Sequence, residues 1–360
     1  MARTMTSKER VLTALAHQEP DRVPINYAAN PGLQKRLMEH FGLEAHDWPH
    51  LRAALGVDFQ WVWAPYIGPR LHPEIPERRV DPEWGTHTRW VEHPAGGYWD
   101  FCDFPLCTAS EEEVARWPMP SPDDYDYSQV LPQCRAHKDF CLYVGGPGLG
   151  DIINSTTMLR GMEQALVDLA TNDPAGMLLI DRRLEIQLEV TRRTLEAGKG
   201  LVDFVWIGED LGGQNGPLIS ADLFRRQIRP RLQRFVDLAR SFNLPVMIHS
   251  CGSSSWAFPD FIEMGITAVD TLQPEAKDMA PEYLKAHFGQ SLAFHGAIST
   301  GTPLTKASVQ EVGAYCRHVL EVMMPGGGYC FAPAHQLQDD TPTENVLAMY
   351  QTALTYGRYR

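Results

Sequence analysis

At 360 residues and 44% hydrophobic content the chain can bury a large core, and α/β barrels of this size commonly form one domain. A formal net charge of -13 and a pI near 5.4 argue against nucleic acid or an anionic membrane as partner, because both require clustered positive charge. The opening residues lack the apolar core of a secretory signal, and no apolar run reaches membrane-spanning length. The seven cysteines are odd in number and irregularly spaced, so a cytoplasmic protein with reduced thiols is expected.

Taken in chain order, Thr6 and Glu9 form a capping box ahead of Val11, Leu12, Ala14 and Leu15 at helical spacing, and Pro20 ends that pattern. Eight short β-branched or aromatic runs then follow. They are Val23 to Tyr27, Val57 to Trp63, Cys141 to Gly145, Phe204 to Gly208, Pro245 to His249, Ala268 to Leu272, Leu292 to His295 and Gly328 to Ala332. From the third run onward, helical patterns separate the strands: Leu178 to Ala197, Leu223 to Phe242 with a break predicted at Pro230, Pro259 to Met264, Pro281 to Phe288 and Val309 to Met323. Strand and helix in alternation imply parallel pairing, and eight strands suit a TIM (β/α)8 barrel over residues 1–360. The segment from about 66 to 140 breaks the alternation. There Thr88 to Val91 and Tyr98 to Phe101 flank Ala95-Gly96-Gly97, which predicts a β-hairpin inserted between strands two and three, near the active face.

Ile248-His249-Ser250-Cys251-Gly252 carries the strongest chemical signal, an imidazole and a thiol two residues apart after an apolar run. Both are zinc ligands, and a catalytic zinc takes three protein ligands and keeps one position open. Barrel chemistry sits at strand C-termini, so the other candidates at the same mouth are Glu209 and Asp210, Gln273 and Glu275, His295, and His335. Cys330 is the softer third ligand, but it lies in the body of its strand. His335, just past that strand, has the better position and is preferred.

Each motif also has a structural explanation. Glu209 and Asp210 suit a helix cap or an ion pair with Arg225 or Arg226, His295 suits a hydrogen-bonded core histidine, and Gly145-Gly146-Pro147-Gly148 lacks the Lys-Ser/Thr ending of a phosphate loop. No Gly-x-Ser-x-Gly elbow, Gly-x-Gly-x-x-Gly fingerprint or His-Glu-x-x-His helix occurs, which weakens hydrolase and dehydrogenase assignments.

The motifs Asp21-Arg22-Val23-Pro24, Gly208-Glu209-Asp210, Gly216-Pro217-Leu218-Ile219-Ser220, His249-Ser250-Cys251-Gly252, Leu272-Gln273-Pro274-Glu275-Ala276, Gly326-Gly327-Gly328-Tyr329 and Thr341-Pro342-Thr343-Glu344-Asn345 occur in that order. Together they resemble the uroporphyrinogen decarboxylase superfamily over nearly the whole chain. The resemblance implies a TIM barrel with its cleft at the strand C-termini. It also implies one of two chemistries: metal-free decarboxylation of a tetrapyrrole, or zinc-dependent methyl transfer with a corrinoid protein. Decarboxylases carry an Arg-Gln-Ala-Gly-Arg-like run after the first strand, where this chain reads Asn26-Tyr27-Ala28-Ala29-Asn30-Pro31-Gly32, so the cationic clamp for the substrate's carboxylates is missing.

The methyltransferase branch binds zinc through a His-x-Cys pair and a later Cys, and His249 and Cys251 match the pair. The later Cys stands shortly before a Thr-Pro-x-Glu-Asn run, a place that His335 fills here. The resemblance thus implies zinc on His249, Cys251 and His335, with Cys330 as the alternative third ligand and Glu209 as a displaceable fourth. The expected activity is methyl transfer between a small methylated compound (an O-methyl donor among the options) or a thiol, and a corrinoid on a separate protein. This chain contains no Asp-x-His-x-x-Gly corrinoid motif of its own. Glu209, Asp210 and His295 are the expected catalytic groups, with Tyr27 and Gln273 binding substrate and Trp84, Trp90 and Trp99 available to line an apolar pocket. A homodimer is compatible with these expectations. The alternatives are tetrapyrrole decarboxylation and a non-catalytic small-molecule-binding barrel.

Overall fold

A computed structural model describes residues 4–93 and 96–359. Among these the strands are, in chain order, β1 (Phe59–Trp61), β2 (Arg79–Val80), β3 (His87–His93), β4 (Gly96–Phe101), β5 (Cys141–Gly145), β6 (Phe204–Gly208), β7 (Val246–Ser250), β8 (Ala268–Thr271), β9 (Ala293–Ile298) and β10 (Tyr329–Pro333). One curled sheet has the order β1-β5-β6-β7-β8-β9-β10 with every pair parallel, and β2, β3 and β4 form a separate antiparallel sheet. Strands β6, β9 and β10 are buried at every position, since helices cover one face and the lumen the other. For this reason the sequence shows continuous apolar runs there and not alternation.

The strand count differs from the eight expected: the large sheet has seven strands among the described residues. Val23 to Tyr27 is not a strand but a single parallel bridge, Ile25 to Phe331. Asn26 N donates to Phe331 O at 2.9 Å, Phe331 N donates to Pro24 O at 2.7 Å, and on the other side Asp58 N donates to Ile25 O at 2.8 Å. The segment therefore lies between β10 and the chain entering β1. Pro24 has no N–H to give, so the ladder stays too short for a strand.

The helical patterns translate closely. Pro174–Ala197 is capped by the Asp173 carboxylate and stops at Gly198, while Phe258–Met264, Pro281–Phe288 and Val309–Met323 form as predicted. The predicted break near Pro230 is a π-turn over Phe224–Ile228, after which Arg229–Ser241 restarts with Pro230 in its first turn. The inserted hairpin is also present as β3 and β4, with Trp90 opposite Trp99. Ala95 of its expected turn lies outside the described residues. No helix among the described residues is long and apolar enough to cross a membrane.

The N-terminal helix Ser7–Leu15, with the expected Thr6/Glu9 capping box, closes the end of the sheet opposite the site. Its Val11, Ala14 and Leu15 pack with Phe59, Cys141, Phe204, Met247, Ala268, Ala293 and Cys330, each the first or second residue of its strand. Fully buried Asp58 holds this plug in place. Its carboxylate accepts from Arg10 Nη1 and Arg22 Nη1, both at 2.7 Å, and from Ile25 N at 2.9 Å. Charge-assisted bonds from two guanidiniums offset the desolvation of that carboxylate.

Candidate metal centre and cavity

The strand register sets up the site. Gly208, His249, Asp270 and His295 are successive Cα partners across β6, β7, β8 and β9, so the side chains of His249, Asp270 and His295 form one row. Along it, the Asp270 carboxylate binds two imidazoles: His249 Nδ1 to Oδ2 and His295 Nδ1 to Oδ1, each at 2.5 Å. Asn26 Nδ2 extends the row, 3.0 Å from His295 Nε2. Burial by itself would push the Asp270 carboxyl up, but the charge of His295 and the bonds from both histidines hold it at about 2.

With Nδ1 engaged, His249 turns Nε2 toward the loop after β7. Cys251 Sγ lies 3.3 Å from that nitrogen and Asp210 Oδ1 lies 3.6 Å from it. The ligand atoms of Asp210, His249 and Cys251 all fall within 4.8 Å of one another, close enough to share one metal ion. Burial works against a charged imidazole, yet the hydrogen bonds to Asp270 and Cys251 raise His249 well above its ordinary value. Burial pushes the Cys251 thiol up, while His249 pulls it down. Such mutual perturbation is common where donors converge on a cation.

Backbone contacts fix the cluster. Asp210 Oδ1 accepts from Cys251 N at 2.7 Å and its Oδ2 from Asn154 Nδ2 at 2.8 Å, and Gln273 Oε1 accepts from Gly252 N at 2.6 Å. Gly252 has φ +69°, and a Cβ there would come within 2.2 Å of Gly212 O. Only glycine lets the Cys251 loop pack this closely on the loop after β6. At Gly208 a Cβ would meet Pro147 O at 1.8 Å, so the strand leading into Glu209 and Asp210 also needs its glycine.

A cavity of about 290 Å3 opens beside the cluster, with His249, Asp270, Thr271 and His295 at its polar end. Its walls include Tyr27, Tyr143, Trp206, Pro147, Ala332 and Pro333, and neither Lys nor Arg occurs among the described residues lining it. None of the described residues of the insertion expected to shape this space lines it. Trp84 instead stacks under Arg183 at 4.4 Å, and Trp90 and Trp99 are exposed on the hairpin.

Most of the predicted residues gather here. His249 and Cys251 are together, as expected. Asp210, expected as a catalytic group, joins them in the cluster, and Tyr27 lines the cavity. His295 was expected to close its strand but sits in the middle of β9, which continues to Ile298, so it forms part of the cavity floor. Gln273 supports the Cys251 loop and does not line the cavity.

Glu209 is fully buried and accepts from Ile152 N at 2.8 Å and Ile153 N at 3.1 Å, at the start of the helix Ile153–Arg160. Burial and then the charge of Asp151 raise its carboxyl well above the usual range. It anchors that helix, and its neighbour Asp210 is the carboxylate that meets His249 and Cys251. His335 is exposed at the rim of the same cavity and lies outside the three-residue cluster. Cys330 lies in the closed core under the N-terminal helix, where burial raises its thiol far above the usual range.

Residues missed by sequence reasoning include Asp270, Asn26, Asn154, Tyr143 and Trp206. Asp270 left a signal, as a carboxylate inside the apolar run Ala268 to Leu272.

The family model described as Uroporphyrinogen decarboxylase (URO-D) matches residues 144–356, more than half the chain. The chain belongs to the URO-D family. The matched span carries Asp210, His249, Cys251 and Asp270. No curated protein matches the chain. Among solved structures, a methyltransferase from Methanosarcina mazei superposes with a TM-score of 0.62 at 20% identity, covering 97% of this URO-D chain and 98% of that one. That likeness supports the fold. The catalytic domain of a β-amylase from Paenibacillus polymyxa aligns over 94% and 98% of the two chains at 10% identity, with a TM-score of 0.32, too low to carry an argument.

Proposed function

We propose that this URO-D family member is a zinc-dependent methyltransferase that moves a methyl group between a small methylated compound, O-methyl donors included, or a thiol, and a corrinoid on a separate protein. The observation that carries this reading is the convergence of an imidazole nitrogen, a thiol sulfur and a carboxylate oxygen within 4.8 Å beside a small cavity. The donor set fits zinc, which takes nitrogen, sulfur and oxygen ligands and keeps a position open in catalytic sites. The methyltransferase from Methanosarcina mazei with the same fold is consistent with this choice.

Asp210, His249 and Cys251 would hold the metal and leave one position open, with His335 at the rim as the alternative third ligand. Bound there, zinc would act as a Lewis acid toward a donor oxygen or lower the pKa of a thiol. The protein's own contribution is preorganisation. Asp270 holds His249 through Nδ1, which would leave Nε2 free to face a metal in the cluster. Asp210 and Gln273 hold the Cys251 loop through its backbone N–H groups. Tetrapyrrole decarboxylation fits less well, because the cavity lining offers no guanidinium or ammonium to a polycarboxylate.

Elemental analysis and methyl transfer to cob(I)alamin, followed by its absorbance, test the proposal. Near-stoichiometric zinc is expected, falling sharply in a His249→Ala/Cys251→Ala double variant. Zinc that is absent or indifferent to that variant, together with turnover of uroporphyrinogen, would overturn it.

A further inference from the structure

We infer that the cavity beside His249 binds a neutral single-ring aromatic molecule, an aryl methyl ether under the proposed activity, with the ring between Tyr27, Tyr143 and Trp206 and its oxygen toward the histidines. The substrate class rests on the methyl-transfer reading, whereas ring binding rests on the cavity alone.

Size comes first. At about 290 Å3 the cavity lies at the lower edge of small-molecule sites, and benzene occupies an apolar cavity of about 150 Å3, so one substituted ring fits and a tetrapyrrole does not. Wall chemistry comes next. Tyr143 and Trp206 have ring centroids 5.1 Å apart at 54°, and Trp206 also meets His295 edge-on at 5.2 Å, which gives a partly preformed aromatic wall. Faces and edges arranged in this way favour a flat guest by offset and edge-to-face contacts.

The polar groups of the wall specify the guest further. Tyr143 lines the cavity half-buried, and its hydroxyl has no hydrogen-bond partner among the described residues. Trp206 Nε1 and Tyr27 OH, on the two other rings, are closed off from the cavity, so those rings meet a guest through carbon. A wall hydroxyl without a partner calls for a polar atom such as oxygen on the ligand, and unpaired it weighs against a purely hydrocarbon filling.

A quaternary ammonium, the other guest of aromatic cages, fits less well. It brings no lone pair to the Tyr143 hydroxyl or to a metal. The carboxylate nearest the floor, Asp270, is already shared by two imidazoles.

Calorimetry on the whole zinc-loaded protein tests the inference with 2-methoxyphenol, tetramethylammonium chloride and methanol as probes. 2-Methoxyphenol should bind at least about tenfold more tightly than either of the others, and Tyr143→Phe should weaken it about fivefold to tenfold through loss of one hydrogen bond. Ala28→Trp, at an exposed lining position, should block the mouth and abolish binding while zinc content stays unchanged. Equal or tighter binding of tetramethylammonium, or unchanged binding of 2-methoxyphenol in Ala28→Trp, would overturn the ring site. Methyl transfer from methanol without ring binding would overturn it too and leave the methyltransferase reading intact. Ring binding without methyl transfer from the ring would leave the site and refute its assignment to an aryl methyl ether.

Discussion

Asp270 tests the metal-centre reading most directly, because it touches no proposed ligand atom yet orients one. Its carboxylate receives His249 Nδ1 and His295 Nδ1 at 2.5 Å each and is almost wholly buried. In Asp270→Ala both N–H groups lose their acceptor, and the His249 ring is free to rotate or to adopt the other tautomer. Loss of such a partner behind a ligating histidine costs about 10–100-fold in metal affinity, or about 1.4–2.8 kcal/mol. Asp270→Asn should fall between wild type and Ala, because an amide oxygen still accepts from one histidine but carries no charge.

Competition with a chromophoric chelator at pH 7.5 measures the affinities, and thermal unfolding of the metal-free proteins shows whether each variant folds. A folded Asp270→Ala protein with wild-type zinc affinity would refute the argument that Asp270 sets His249. Acid titration adds a second readout. A carboxyl held at about 2 in the fold and near 3.8 when unfolded contributes stability that is fully present above pH 3.8 and is lost as pH falls toward 2. The difference corresponds to about 2 kcal/mol, which Asp270→Asn removes from the acid limb of the stability curve.

Other positions separate ligand from scaffold. Cys330→Ala should leave zinc content unchanged and cost about 1 kcal/mol of stability from lost packing, read by denaturant unfolding, whereas Cys251→Ala should deplete zinc. His335→Ala tests the rim residue: weakened zinc binding makes it a ligand, and unchanged binding limits the set to Asp210, His249 and Cys251. Asp151 has the opposite pH signature to Asp270. Burial, and after it the charge of Asp210, raise its carboxyl to about 7, so between pH 3.8 and 7 the fold holds a proton that the unfolded chain has lost. Metal-free protein should therefore lose up to about 1.4 kcal/mol per pH unit as pH rises through that window, and Asp151→Asn should flatten the slope in unfolding measured from pH 5 to 8. Gly252→Ala should cost several kcal/mol or perturb zinc binding, since its Cβ meets Gly212 O at 2.2 Å; an unaltered Tm and zinc affinity would show that the loop yields.

What the sequence made legible follows from how local each cause is. Helices such as Val309–Met323 carry their own periodicity and caps, and buried parallel strands carry continuous apolar runs, so both were readable. Val23 to Tyr27 was not, because strand status depends on ladder bonds to β10 that Pro24 limits. His249 and Cys251 were legible because two residues and one turn bring them together. Asp210 was legible as a mouth residue but not as their neighbour. Its place depends on the β6–β7 register and on the Gly212–Gly252 contact between loops, and neither has a local signature.

The substitution of Asp210 for His335 in the cluster alters the electrostatics of the proposed centre as well as its membership. With one imidazole, one thiolate and one carboxylate the protein supplies two negative charges to a divalent ion, where two imidazoles and a thiolate supply one. A centre near neutrality gives no electrostatic preference for a charged substrate. The adjoining walls agree, being aromatic and lacking Lys and Arg among the described lining residues. Under the proposed function, charge at the metal and chemistry of the wall would thus select the same guest, a neutral molecule held by shape and hydrogen bonding. The lone pair of such a guest, more than any ionic attraction, would bring it to the open side of the His249 cluster.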